Sequence, residues 1–238
     1  MLWYKAWLET RSRFLISLIG MVALCSVFVL HGDRNVAYEV NSDYYNYVLF
    51  EGHQILVMMW TLAVTLTMMG GLLREKATGS SSFTLALPVS RKRLMVVRIC
   101  TGLTQAFMLA IVPWGAMFSV SSIFGKTRSF SQAAYYLVLL LGGGLLFFAV
   151  AVLVSSLISG EYTAPAVSFG AVIVTAVALS SAALHRYNPW EFMTGMEYRN
   201  VQTNLLSLPI PWLQAAIYMF VAGLLLAISV RAIQRHEF

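Results

Sequence analysis

Six apolar runs constrain this chain more than any other feature, because each is close to the roughly 20 residues that a helix needs to cross a hydrocarbon layer about 30 Å thick. They are Phe14–Leu30, Ile55–Leu73, Ile99–Phe124, Ala133–Ile158, Thr163–Leu184 and Trp212–Val230, and together they take up more than half of the 238 residues. Backbone inside lipid must satisfy its own hydrogen bonds, so runs of this length read as helices. Composition agrees. Hydrophobic residues make up 59% of the chain and charged residues 11%, with a mean hydropathy of +0.74, whereas soluble domains are about 45–50% apolar. The expectation is an all-α, polytopic membrane protein: a single transmembrane domain over 1–238 with six transmembrane helices and no room for a soluble catalytic domain.

The basic residues orient it. With the amino terminus inside, the cytoplasmic segments hold Lys5, Arg11, Arg13, Arg74, Lys76, Arg91, Lys92, Arg93, Arg98, Arg231 and Arg235, whereas the other face holds Arg34, Lys126, Arg128, Arg186 and Arg199. Eleven against five places both termini in the cytoplasm. The net charge of +6 is then a topology signal rather than a nucleic-acid footprint, since its largest cluster abuts two spans.

Residues 1–13 place Trp3 and Trp7 four apart, among Lys5, Glu9, Arg11 and Arg13, which reads as an N-terminal interfacial helix lying flat before the first span. A cleaved signal peptide is disfavoured, because the apolar run exceeds the usual h-region and no Ala-x-Ala site follows. The segment from His31 to Gly52 is acidic and aromatic and should face outward. A metal site from His31, Asp33, Glu51 and His53 fits no spacing signature, so a solvated loop is the better reading. Span three carries Gln105, Pro113 and Trp114; its proline frees a carbonyl that neighbouring helices must repair. Gly142-Gly143-Gly144 in span four removes side chains for most of a turn, which suits close helix packing first and a flexible point second. Residues 185–211 are too apolar for a free linker and too broken by polar residues to cross the bilayer. Short amphipathic or partly re-entrant external helices between spans five and six are expected there.

Several chemistries lack their residues. Gly125-Lys126-Thr127 resembles the end of a phosphate loop, but Val120 stands where the first glycine belongs and the segment follows a span rather than a strand. ATP hydrolysis would therefore need a separate subunit. The span interiors carry no ionisable residue well away from an end, which argues against ion-driven transport. Cys25 and Cys100 lie in different spans, and the four histidines form no local motif.

The segment 70–98, GGLLREKATGSSSFTLALPVSRKRLMVVR, is a basic hinge between spans two and three. Thr78 to Ser82 can cap a short helix over Phe83–Leu87, which Pro88 ends by pushing Leu87 out of the α region. Ser90 can then cap the next helix, whose first turn carries Arg91, Lys92 and Arg93. A basic loop that only sets topology is the alternative reading.

Arg74-Glu75, then Gly79, the hydroxyl-rich turn, and Leu85-Ala86-Leu87-Pro88-Val89-Ser90-Arg91 followed by Lys92 resemble the permease subunits of ABC transporters of the type-2 exporter family. The likeness is tight over about thirty residues and looser, as span order and loop lengths, over the whole chain. Three serines, Ser80 to Ser82, stand where many relatives carry an acidic residue. The resemblance implies a cytoplasmic coupling helix within 74–98 that docks on an ATP-binding cassette subunit. Arg74, Glu75, Gly79, Phe83, Leu87, Pro88, Arg91, Lys92 and Arg93 would make or brace the contacts. It further implies two copies of that ATPase, a second permease subunit (the same or homologous), and ATP and Mg held by the partner, with no cofactor in this chain and no nucleic acid. Residence in a bacterial inner membrane, among its lipids, follows from the same likeness. Met58, Met59, Thr65 and Met68 are the candidates for the pathway lining, against plain packing or lipid contact. A membrane-embedded lipid-modifying enzyme and a non-transporting assembly or sensory subunit stay open as other classes.

Overall fold

The computed structural model describes residues 2–35, 44–67, 90–123, 130–158, 163–181, 184–200, 205–207 and 211–235. They form seven α-helices: α1 Leu2–Asn35, α2 Tyr44–Thr67, α3 Arg91–Ile123, α4 Phe130–Leu157, α5 Thr163–Ala178, α6 Pro189–Thr194 and α7 Trp212–Arg235. Single 3-10 turns at His185–Tyr187 and Met196–Tyr198 flank α6, and the one strand-like feature among the described residues is an Arg199–Leu206 bridge. The chain is all-helical, and α1, α3, α4 and α7 are long and apolar enough to cross a membrane.

Packing centres on α4, which touches α2, α3, α5, α6 and α7. Its buried residues point in every direction, from Tyr136 and Leu139 through Gly142–Gly144 to Phe148, Val152 and Ser156, as expected of a helix that is apolar all round. The outer helices instead bury one stripe. In α1 that stripe is Thr10, Phe14, Met21, Cys25 and Val29, while Ile16 and Ile19 stay 73% and 67% exposed. In α7, Ala215, Tyr218, Ala222, Ser229 and Ile233 face inward, and Leu213 and Phe220 face out. Apolar surface this continuous exceeds what a soluble monomer exposes and is what a lipid-facing bundle shows.

Hydroxyls along the helices are satisfied locally, as a low-polarity surround requires. Thr61 donates to Val57 O, Thr101 to Val97 O, Ser121 to Met117 O and Ser229 to Leu225 O, all at 2.8–2.9 Å.

The element boundaries differ from the sequence expectation in three places. The interfacial helix of 1–13 is not separate: α1 runs unbroken from Leu2 to Asn35, because neither Pro nor Gly falls between residue 2 and Gly20. Its first turns lie against α3 through Arg98–Glu9 at 3.8 Å and Gln105 Nε2 donating to Thr10 Oγ1 at 2.6 Å. α2 begins at Tyr44, eleven residues before the expected start, whereas α3 begins at Arg91, as the Ser90 cap predicts, eight residues ahead of its apolar run. The fifth run is helical only over Thr163–Ala178, 16 residues or about 24 Å; beyond it the chain turns at Ser180 and Ser181.

Candidate functional site

Three regions bear on function, beginning with the hinge. Arg74, Glu75, Gly79, Phe83, Leu87 and Pro88 lie outside the described residues, as does Met68. At the hinge's exit Ser90 caps α3, its Oγ accepting from Arg93 N at 3.4 Å. Lys92 and Arg93 project into the open. Three cations in a first turn oppose the helix dipole, each by a few tenths of a kcal/mol.

The second region is α2. Met58 is 51% exposed, whereas Thr65 is buried at 3% and ties its hydroxyl to Leu62 O at 2.8 Å. Met59 is half-buried against the core. Met58 with Leu62, rather than Thr65, therefore forms the open stripe of this helix.

The third region is the wedge α6. Asn188 accepts from Trp190 N at 3.0 Å and Pro189 occupies the first helical position, the order that starts a helix. Asn188 Nδ2 also donates to Ala176 O at 3.0 Å, fastening the wedge to the end of α5. Gly195 stops the helix with φ 70°, its N–H reaching Glu191 O and Phe192 O. The wedge enters the middle of α4. A Cβ at Gly143 would meet Met193 Cγ at 2.5 Å and Pro189 O at 2.9 Å, and one at Gly142 would meet Phe192 Cε1 at 3.2 Å. On the other side of α4, Gly144 receives the Trp60 ring, whose Nε1–H is anchored to Ala106 O at 2.9 Å. The glycine run thus serves two close approaches at once.

The last carbonyls of α6 are taken by consecutive residues of α2. His53 Nε2 lies 2.7 Å from Met193 O, and Gln54 Nε2 donates to Thr194 O at 2.7 Å. His53 is fully buried, with ring centroids 4.6 Å from Tyr136 and 5.7 Å from Trp114. Arg199 stacks over Phe50 at 4.0 Å beside this cluster. Sequence reasoning placed His53 just outside a span and so missed it; the α2 start at Tyr44 puts it in the third turn of a helix. Among the described residues no group of His, Cys, Asp and Glu could hold a metal, and His53 presents Nε2 to a carbonyl instead.

Below the wedge, Tyr198 OH donates to Gln214 Oε1 at 2.8 Å, and Gln214 Nε2 donates to Arg186 O at 2.7 Å and Tyr218 OH at 2.8 Å. Burial, with Glu197 and Tyr218 adding and Arg186 opposing, pushes the Tyr198 phenol up to about 12. No protein-family model, curated protein or solved structure matches this chain.

Proposed function

We propose that the chain is the membrane-spanning permease subunit of an ATP-driven exporter, forming half of a translocation pathway and coupling to a separate ATP-binding subunit. The feature that carries the reading is the sequence of the hinge, where Pro88 follows the run Phe83–Leu87 and precedes a capped start of α3 bearing Arg91, Lys92 and Arg93. Six spans complete it: α1, α3, α4 and α7, with α2 and the short α5 crossing as well, and the wedge and its flanking turns on the outer side. Closure of the ATPase pair presses on Phe83–Leu87, and the push passes into α2 and α3, the helices that the hinge joins. Trp60 against Gly144 then carries it from α2 into α4. Met58 and Leu62 face the pathway shared with the second permease subunit.

The test uses the purified complex of permease and ATPase in proteoliposomes. Glu75→Ala, and Arg91→Ala combined with Arg93→Ala, are expected to lower ATP hydrolysis at least tenfold while leaving the permease folded. Full hydrolysis in both variants would contradict the coupling role of the hinge.

A further inference from the structure

The buried face between α2, α3 and α4 holds three polar atoms with no protein partner: His53 Nδ1, Trp114 Nε1 and Tyr136 OH. Their side chains are 0%, 5% and 0% exposed. The rings are mutual neighbours, with centroids 4.6, 5.7 and 6.2 Å apart. Each such atom left bare inside an apolar bundle carries a large desolvation cost, and three in one cluster are not a scatter of defects.

Their donor and acceptor roles are complementary. Met193 O can only accept, so the 2.7 Å contact fixes the His53 proton on Nε2 and leaves Nδ1 a lone-pair acceptor in the neutral ring. The Trp114 indole can only donate, while the Tyr136 hydroxyl does both. One acceptor and two donors, held apart by aromatic rings, match a small neutral molecule that gives one hydrogen bond and receives two.

We propose that this cluster is a binding site for one ordered water, which donates to His53 Nδ1 and receives from Trp114 Nε1–H and Tyr136 O–H. A buried water with about three protein partners is the usual occupant of such a site. A cation is refused by the indole donor, and an anion by the Nδ1 lone pair. The water ties α2, α3 and α4 together at the level where His53 and Gln54 hold the end of the wedge.

Two measurements on the full chain in nanodiscs test this. Tyr136→Phe removes only a hydroxyl. A bare hydroxyl is a liability, so its loss would leave the melting temperature unchanged or raise it. A bridged one is an asset, and its loss lowers the melting temperature by about 2–4 °C. The second measurement records indole resonances with labelled tryptophan, assigning Trp114 through Trp114→Phe. A cross-peak from the Trp114 indole proton to a long-lived water, weakened in Tyr136→Phe, is expected. An unchanged or raised melting temperature overturns the proposal. So does a lowered one without the water cross-peak, because the three side chains would then contact one another directly.

Discussion

A methyl group added at Gly144 would meet Trp60 Cζ3 at 2.6 Å and Cη2 at 2.7 Å, and the ring has nowhere to go because its Nε1–H is held by Ala106 O. Gly144→Ala is therefore expected to destabilise the chain by about 1–3 kcal/mol, the range for overpacked cores. Combining it with Trp60→Leu should recover part of that loss, so the two substitutions will be non-additive in a thermal unfolding series in detergent. Gly143→Ala has no such rescue, since Pro189 O is backbone. Where α2 holds the end of α6, Gln54→Leu strips Thr194 O of its donor and should cost about 1–3 kcal/mol, read by the same unfolding assay. A triple glycine is visible in any reading of the sequence and points to close packing. Which helices come close is not visible, because Trp60 and Met193 lie far away in the chain.

The wedge α6 was partly legible as an element. Asn188, Pro189 and Gly195 spell a start and a stop, yet only six residues separate them, too few for hydrophobic periodicity to register. The apolar residues over 185–211 pointed to short amphipathic or partly re-entrant external helices, and α6 is a short helix that buries Pro189, Phe192, Met193 and Thr194. The start of α2 was illegible because tyrosine, asparagine and glutamate over 44–51 lower the hydropathy below that of a span. The N-terminus of α3 was legible, and Ser90→Ala should cost it about 1 kcal/mol of capping, seen as faster amide exchange in its first turn. The Tyr198 phenol, held at about 12 against an ordinary value near 10, stays a neutral donor to Gln214. Its contribution is complete below pH 10 and fades as the pH rises through 12. Tyrosinate absorbance should accordingly include a late-titrating phenol near 12 that is missing in Tyr198→Phe.

At the scale of the whole molecule, a hub helix clothed by one-sided neighbours buries a core and turns an apolar exterior to lipid. Runs of apolar residues made that much plain in advance, and four of the six correspond to helices long and apolar enough to cross. The order in which α4 gathers its neighbours could not be read, since every face of it is equally apolar. In the proposed topology Lys92 lies inside and Glu197 outside. Single cysteines at those positions, in a background lacking Cys25 and Cys100, should react with an impermeant thiol reagent from opposite sides of sealed vesicles. The most direct test of the exporter reading is affinity purification of the tagged chain from its native membrane in mild detergent. An ATP-binding protein should co-purify in about equal amount and be released by Glu75→Ala or by Arg91→Ala with Arg93→Ala. Well-folded protein that brings down no ATP-binding partner would contradict it.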